Sequence, residues 1–541
     1  MSNRVQHVTI VGGGTAGWLA ACILHMGLNR RGDEEDVRIT VIESPNIPTI
    51  GVGEATTISM RRTLMQLGLD ERDFLKQCNG SFKCAVKFNN WNHDADGNSK
   101  TFWHPFSKQG YLFGYDGTYH YIKANKLGGQ APFEETLFPA MPAIKNCQAP
   151  RALEGEDYDG VFPYAYHMDA TLFAGYLTTY ATNIGIGHVR DDVTAVNLDE
   201  RGYVKSLTLR ENGDWPIELV LDCTGFRGLI IKEALEEPFE PYAEHLLCDK
   251  ALAVQIPHGD NTKIESYTTS TGLKAGWSWR VPLYTRVGTG YVFSSAFASD
   301  DEAITEFRRY LNLPDDHPDP RVIPMRIGRS RRSWVKNCIA VGLSGGFIEP
   351  LESTSIHFTQ LAARWLIEYF PDRDINPAMG EQYNRVVHKL YDDIRDFIAF
   401  HYVTSNRTDT PFWVETGQEA RIPDSLKDRL ELWRVKLPGS LECNNVYSLF
   451  ESWNYTNILV GKGWYDNLEL PSESAVSVED FRDAVQDLEK RSRQILTKAQ
   501  DHRAVLTQIR AGDYQPWYNP EPAAPPPALD EVAAAAAAAI A

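Results

Sequence analysis

The chain has 541 residues, of which 43% are hydrophobic and 23% charged, a composition typical of a folded globular protein and not of a disordered one. Its formal net charge is −18, and so acidic a protein repels phosphate backbones, which argues against nucleic acid as the main partner. The eight cysteines include no CxxC pair, so we expect no zinc ribbon, no redox dithiol and no metal site.

The chain opens with a strand–turn–helix pattern. An apolar run at 8–11 leads into a GxGxxG turn, an apolar helical segment follows, and the next apolar run ends in Glu43. In such a βαβ unit the glycines let a pyrophosphate approach the helix N-terminus, and the acid accepts hydrogen bonds from the ribose hydroxyls. The pattern predicts a site for FAD or NAD rather than NADP, with these residues at the turn: Gly12, Gly14, Thr15, Ala16 and Gly17.

Two later elements favour FAD over NAD. The strand pattern at 219–223 ends at a Thr-Gly pair, and a single strand expected at 334–341 ends at Gly342. Flavoproteins of the monooxygenase type use such late strand–glycine elements to return to the flavin. We find no second GxGxxG in a strand–helix frame, so we expect the reduced flavin to come from a separate NAD(P)H-dependent reductase.

The rest of the chain changes from mixed to helical. Residues 82–88 alternate as a half-buried strand, residues 353–369 and 379–401 have helical periodicity, and Ser477 is the expected N-cap of a helix running to about Ile509. A Pro/Ala-rich tail follows, for which we expect disorder. We predict three parts: a catalytic module at 1–360 with substrate-pocket insertions at about 80–170, a helical substrate module at 361–515, and the tail at 516–541.

Five motifs occur in an order that we recognise. They are GGGTAGW at 12–18, IGVGEAT at 50–56, NGSFK at 79–83, WSWRVP at 277–282 and GFIEPLEST at 346–354. Together they make the chain similar to the flavin-dependent halogenases of the tryptophan-halogenase family across about residues 6–510. The family's WxWxIP signature has Val281 here in place of isoleucine.

The resemblance implies an α/β fold: a Rossmann-like FAD-binding domain of the flavin monooxygenase type with a mainly helical C-terminal substrate module. It also implies that FAD, supplied as FADH2, uses O2 to convert a halide ion into hypohalous acid, which then reaches a separate substrate chamber. There Lys83 is expected to activate it, either by hydrogen bonding as an ammonium or as a neutral amine that forms a haloamine. Glu352 is expected to stabilise the arenium cation and accept its proton.

Neither acid nor lysine is diagnostic in isolation. Lys83 and Lys87 could both lie on the solvent face of a strand, and Glu352 could be a helix N-terminal acid that favours the helix dipole. Thr354 and Ser355, at an apparent helix start, are the expected halide site, although family members often have glycine at the second position. Trp277 and Trp279 are signature residues near the flavin, and the resemblance adds the following flavin contacts: Gly53, Glu54, Ala55, Gly342 and Ser353.

The substrate pocket is expected to hold a flat aromatic ring between His104 and Phe106. Members that act on free tryptophan usually carry a tandem tyrosine where this chain has Tyr455 and Thr456. The loss of one phenol favours indole, a substituted indole or another aromatic compound without the zwitterion. The remaining pocket residues implied are Ile50 and Asn454.

Several alternatives stay open. Within the halogenases these are free tryptophan or a carrier-bound pyrrole or tyrosyl group as substrate, and either chloride or bromide as halide. Outside them are a flavin-dependent aromatic hydroxylase and an FAD-dependent RNA-modification scaffold, the latter opposed by the charge of −18. The first residues lack a signal peptide's charged and apolar regions, and no apolar run outside the tail approaches ~18 residues, so we expect a cytoplasmic monomer or homodimer without a membrane partner.

Overall fold

A six-stranded sheet forms the nucleotide-binding core of this computed structural model, which describes residues 3–29, 36–47, 53–112, 114–129, 131–258, 263–443 and 448–512. Five strands are parallel and the sixth, at one edge, is antiparallel. In spatial order they are Gly187–Arg190, Arg38–Glu43, His7–Val11, Leu219–Asp222, Cys338–Ala340 and Trp334–Val335. The helix Thr15–Leu28 follows the first strand and packs against two further helices, which confirms the Rossmann-like prediction.

The prediction of a single strand at 334–341 is wrong, because this segment forms two strands. Lys336, with φ of 54°, and Asn337 form a tight turn, so that Trp334–Val335 folds back antiparallel to Cys338–Ala340. Cys338–Ala340 still leads to Gly342 as predicted. The difference therefore lies at the edge of the sheet and not at Gly342.

A second sheet has seven strands. In order it comprises Arg321–Pro324, Lys250–Pro257, Arg286–Phe293, Gly276–Pro282, Thr268–Leu273, Ala85–His93 and Ser99–Pro105. All neighbours are antiparallel except Thr268–Leu273 with Ala85–His93. Gly290 makes room for the signature tryptophan on the next strand, because a Cβ there would lie 2.0 Å from the Trp279 ring. The sheet therefore presents both signature tryptophans toward one side.

A three-stranded sheet carries the predicted lysine, in the order Gly53–Ala55, Ala165–Asp169, Ser81–Lys83. We call Ser81–Lys83 the lysine strand. The half-buried strand expected at 82–88 is wrong in two respects: it breaks at Cys84, whose N–H donates to Ser266, and its two parts join different sheets. Lys83 does not face solvent, because only 1% of it is exposed.

Smaller pairings complete the strands. They are Val193–Leu198 with Val204–Leu209 and Gly213–Pro216; Phe239–Pro241 with Gly328–Ser330 and Gly346–Phe347; and Tyr111–Leu112 with Tyr115–Asp116. The helices before residue 350 are Thr15–Leu28, Ser59–Gln66, Glu71–Gln77, Gly117–Lys126, Phe133–Leu137, Met141–Lys145, Ala170–Asn183 and Asp300–Leu311.

After residue 350 the described chain is helical. The helices are Ser355–Glu368, Pro377–Val403, Pro411–Thr416, Asp424–Leu432, Ser440–Cys443, Ser452–Lys462, Val478–Lys498 and His502–Ala511. Ser477 caps Val478–Lys498 as predicted, because its side chain accepts from two N–H groups of the first turn. The helix does not run on to Ile509: Ala499 is extended, and Asp501 caps a new helix. None of the helices in the described ranges is long and apolar enough to cross a bilayer.

The last helix supports the lysine strand. His502 is fully buried, its Nδ1 lies 3.0 Å from the Ile264 carbonyl oxygen, and its Nε2 accepts the N–H of Phe82 at 3.1 Å. Because Nδ1 must donate to a carbonyl, the imidazole has a single tautomer and holds the residue next to Lys83. The position of the lysine strand thus depends on a segment far along the chain.

A buried ion pair supports the same sheet. Glu71 and Arg151 are 0% and 2% exposed and form a salt bridge, and the other oxygen of Glu71 accepts the hydroxyls of Tyr164 and Tyr166 at 2.7 and 2.5 Å. Tyr166 pairs with Phe82 across the strands. A buried carboxylate is tolerated only with such a full set of partners.

We expect Arg151→Met to lower the free energy of unfolding by about 3–5 kcal/mol, because it leaves the Glu71 carboxylate buried without its cation. Urea unfolding followed by tryptophan fluorescence measures the change. The control is Lys490→Met, since Lys490 pairs with Asp487 on an exposed helix face and its loss should change little. Equal effects of the two substitutions would show that the buried pair does not stabilise this sheet.

Candidate active site

A cavity of about 920 Å³ lies at the carboxyl ends of the parallel strands. This edge is where open α/β sheets bind their ligands. Of the predicted flavin-contact residues, the structure places all but one on the cavity wall: Gly12, Gly14, Thr15, Ala16, Glu43, Gly53, Glu54, Ala55, Gly342 and Ser353. The exception is Gly17, which packs instead against the turn, because a Cβ there would lie 1.9 Å from the Gly12 carbonyl oxygen.

The glycine turn fits a dinucleotide. A Cβ on Gly14 would meet no atom within 4 Å, so the backbone at the helix start is open to a ligand. Gly342 has φ of 72°, and a Cβ there would lie 2.7 Å from Ala16, so the late strand–glycine element closes directly onto the first helix. Glu43 stands at the cavity wall with His188 Nε2 2.9 Å from its carboxylate. This donor set suits the pyrophosphate and ribose of FAD.

The signature tryptophans line the same cavity. Trp277 and Trp279 lie on one face of the strand Gly276–Pro282 with ring centroids 6.4 Å apart. Trp277 Nε1 donates to Glu349 Oε2 at 2.7 Å, and Tyr402 Oη donates to the same oxygen at 2.6 Å. Burial raises the pKa of Glu349 to about 7, against these two hydrogen bonds. Glu349 therefore ties the cavity wall to the helix Pro377–Val403, which we call the long helix.

A tight turn carries the predicted catalytic acid away from this wall. Pro350–Glu352 is one turn of 3-10 helix, and Ser353 ends it with φ of 61°. Such left-handed backbone is unfavourable for serine and recurs at functional sites. Thr354 follows and is fully buried, and its Oγ1 has no hydrogen-bond partner within the described part of the chain. Ser355 begins the next helix at the cavity wall. A hydroxyl group that is free to donate a hydrogen bond beside a helix N-terminus suits a halide ion.

Lys83 lies on the far side of this turn. Its ammonium donates to Ser353 Oγ at 2.8 Å and to the Thr56 carbonyl oxygen at 3.1 Å, and it lies 5.2 Å above the Phe106 ring. Burial lowers the pKa of Lys83 to about 8, while the Glu352 carboxylate acts in the opposite direction. Ser353 therefore borders both sites: its residue lines the flavin cavity and its hydroxyl contacts the lysine.

Glu352 meets two imidazoles. His104 Nδ1 lies 3.0 Å and His401 Nε2 3.1 Å from the same oxygen, Oε1. The second ring nitrogen of His104 lies 2.8 Å from Asn454 Oδ1. Burial acts to raise the pKa of Glu352, but the charge and hydrogen bond of His104, with His401 acting in the same direction, hold that pKa well below its usual range. These contacts favour the ionised form of Glu352, although only 3% of the residue is exposed.

The structure does not bring every predicted pocket residue close to Lys83 and Glu352. Tyr455 is fully buried among aromatic rings and its hydroxyl accepts from Arg429 at 3.4 Å, while Thr456 Oγ1 donates to the Ser452 carbonyl within its own helix. Ile50 lies outside the described residues. The ring of Trp453, which is not among the predicted pocket residues, lies 6.1 Å from the ring of His104.

Two further groups escaped sequence reasoning. His401 and Tyr402 are consecutive on the long helix, and they contact Glu352 and Glu349 respectively. No motif surrounds them, and helical periodicity alone places both in the core. Glu349 lies inside the GFIEPLEST motif, three residues before Glu352, so the sequence indicates that these two acids are close together. It does not indicate the two groups that donate hydrogen bonds to Glu349.

Comparison with known proteins agrees with this geometry. The sequence model of the tryptophan halogenase family matches residues 7–477. The chain is 38% identical to tryptophan 6-halogenase ThaL of Streptomyces albogriseolus over 500 residues, covering 87% of this chain and 92% of the relative. It is 36% identical to tryptophan 7-halogenase RebH of Lentzea aerocolonigenes over 521 residues, covering 91% and 96%.

Solved structures are similar over the same extent. A tryptophan halogenase from Shewanella frigidimarina NCIMB 400 superposes with a TM-score of 0.87 at 32% identity, covering 94% of this chain and 98% of that one. BrvH, a flavin-dependent halogenase from Brevundimonas sp. BAL3, gives 0.83 at 33% identity, covering 94% and 100%. This chain belongs to the tryptophan halogenase family and is a flavin-dependent halogenase.

Proposed function

We propose that this halogenase acts on indole or an indole derivative without an amino-acid zwitterion, and that Lys83 activates hypohalous acid as an ammonium ion. The observation that carries the proposal is the setting of Lys83 Nζ, which is buried and donates to two fixed oxygens, Ser353 Oγ and the Thr56 carbonyl. An ammonium has three protons, so one remains for the oxygen or halogen of a small electrophile.

Bound FAD in its reduced form supplies, with O2 and a halide ion, the hypohalous acid. The residues proposed to hold it are the cavity residues already described, and the proposed halide site is Thr354 with the backbone N–H of Ser355. Thr354 supports this proposal because its buried hydroxyl has no partner among the described residues. Because the chain shows no second GxGxxG, we also propose that a separate reductase supplies the reduced flavin.

Glu352 is the proposed base. Electrophilic attack on an aromatic ring produces an arenium cation that must lose a proton, and a nearby carboxylate can stabilise the cation and accept that proton. Both imidazoles contact Oε1, and Oε2 has no hydrogen-bond partner within the described ranges. The carboxylate is thus anchored through one oxygen and available through the other.

Aromatic side chains support a flat substrate. Phe106 lies under Lys83, and Trp453 lies beside His104, so rings are available near the electrophile on more than one side. Thr456 and Tyr455 direct their hydroxyls elsewhere, so neither offers a partner to an ammonium or a carboxylate of the substrate. Free tryptophan is the second candidate, favoured by the names of the relatives.

The predicted parts of the chain are proposed with the same roles. Residues 1–360 supply the flavin cavity and Lys83, and the segment at about 80–170 contributes His104 and Phe106 to the chamber. Residues 361–515 supply His401, Trp453 and Asn454. The proposed tail at 516–541 lies outside the described residues.

We expect Lys83→Ala to abolish halogenation while oxidation of the reduced flavin by O2 stays near wild type, because the lysine acts after hypohalous acid forms. Product by mass and flavin oxidation by absorbance are followed in the same reaction. Lys87→Ala is the control, since Lys87 lies 5.6 Å over the Trp103 ring and outside the site. If Lys83→Ala kept more than about a tenth of the product, a barrier change below ~1.4 kcal/mol, Lys83 would not be the activating group.

We expect a higher kcat/KM for indole than for free L-tryptophan with bromide, because zwitterion charges without partners cost several kcal/mol on leaving water. With no anchor for a less reactive carbon, indole should be halogenated at C3, its most nucleophilic position. Steady-state kinetics and the position of bromine by NMR give both results. A preference for tryptophan with clean halogenation at a benzo-ring carbon would show that another part of the chain holds the amino-acid group.

A further inference from the structure

We propose that Glu54, although it lines the FAD site, lowers the affinity of that site for FAD by charge repulsion. Its carboxylate lies at the cavity wall near the glycine turn, and the wall offers no unpaired cation to offset it. FAD should therefore bind more tightly as salt is added, the opposite of a phosphate site built from lysine and arginine. The proposal concerns the cofactor alone, so it stands apart from the proposed roles of Lys83 and Glu352.

Glu54 is close to the part of the cavity that suits a pyrophosphate. It lies opposite Met168 in the sheet that carries the lysine strand, and the helix that begins at Ala170 starts two residues later. The Ala170 carbonyl oxygen lies 3.4 Å from Thr15 Oγ1, at the open helix start described above. Glu54, Ala170 and Thr15 all line the cavity. An anionic pyrophosphate bound at that helix start would therefore be a near neighbour of the carboxylate.

The Glu54 carboxylate stands without partners. It makes no hydrogen bond and no salt bridge within the described ranges. Burial raises the pKa of Glu54 to about 7, and no neighbouring charge or hydrogen bond acts on it. At about pH 8.5 the group is therefore ionised, and its charge is not neutralised by the protein.

The other charged residues of the wall do not provide a free cation. Two arginines line the cavity in the part of the chain that the structure describes, and each is paired: Arg210 with Asp192 at 3.1 Å, and Arg227 with Glu233 at 2.9 Å. Lys232, next to Glu233 in the chain, does not line the cavity. The carboxylates that line it are Glu43, Glu54, Asp191 and Asp192. The wall thus carries more negative than positive charge.

The size of the cavity makes these charges effective. A volume of about 920 Å³ corresponds to a width of about 10 Å, which is close to the screening length of ~10 Å at 0.1 M salt. At 1 M salt the screening length falls to ~3 Å, so the repulsion between Glu54 and an anionic cofactor should largely vanish. A cofactor held against such repulsion exchanges readily with solution, as the proposed reductase partner requires.

FAD titrations of the full-length enzyme, freed of FAD, test the proposal at two salt concentrations. Flavin fluorescence gives Kd at about pH 8.5 in ~0.1 M and ~1 M potassium acetate, which supplies no halide. The wild-type Kd should fall at the higher salt. Glu54→Gln keeps the size of the side chain and removes its charge, so it should bind FAD about threefold more tightly than wild type at the lower salt, with the two Kd values converging at the higher. Equal or weaker binding by Glu54→Gln at the lower salt would overturn the proposal.

Two further variants separate local charge from net charge. Asp487→Asn removes one negative charge from an exposed helix pair that does not line the cavity, so its Kd should match wild type at both salt concentrations. Arg210→Gln leaves Asp192 without its cation, so FAD should bind about threefold more weakly at the lower salt and equally well at the higher. If Asp487→Asn tightened FAD binding as much as Glu54→Gln, the net charge of −18 and not Glu54 would repel the cofactor, and the proposal would fail.

Discussion

An ammonium and a carboxylate are buried together between two sites, and the rest of the structure is arranged to make this possible. Lys83 is 1% and Glu352 3% exposed, and a charge taken out of water costs several kcal/mol unless partners replace the lost solvent. For Lys83 those partners are the oxygens of Ser353 and Thr56, and for Glu352 they are imidazoles. Strands from two sheets and the 3-10 turn must therefore meet at one point. His502 and the buried Glu71–Arg151 pair contribute to this arrangement because they fix the sheet that carries Lys83, although neither contacts Lys83 or Glu352.

The turn also separates two buried carboxyl groups. Glu349 and Glu352 lie three residues apart and meet different neighbours: Glu349 accepts from Trp277 at the cavity wall, and Glu352 contacts His104. From consecutive positions of the long helix, Tyr402 donates a hydrogen bond to Glu349 and His401 lies 3.1 Å from Glu352. The left-handed Ser353 turns the chain so that its hydroxyl reaches Lys83.

Motifs that depend on local backbone chemistry could be read from the sequence. The glycine turn, Glu43 at a strand end and the Ser477 cap need only neighbouring residues, and the structure has them as predicted. What sequence reasoning missed depends on distant contacts. Cys84 breaks a strand because its N–H pairs with Ser266, and the N–H of Phe82, next to Lys83, is bound by His502 from the end of the described chain. His401 has no local signal, and Tyr455 matches a family motif although its hydroxyl contacts Arg429 and not the chamber.

The most direct test of the ammonium role is the pH dependence of product formed per hypohalous acid generated. With a pKa of about 8, Lys83 is charged below that pH and neutral above it, so the yield should be constant at neutral pH and fall as pH rises through about 8. Ser353→Ala removes an acceptor of the ammonium and lowers the pKa of Lys83, so the fall should move to lower pH, whereas ionisation of the hypohalous acid itself would not move. A yield that rises through about pH 8, or a fall that Ser353→Ala leaves in place, would contradict the account.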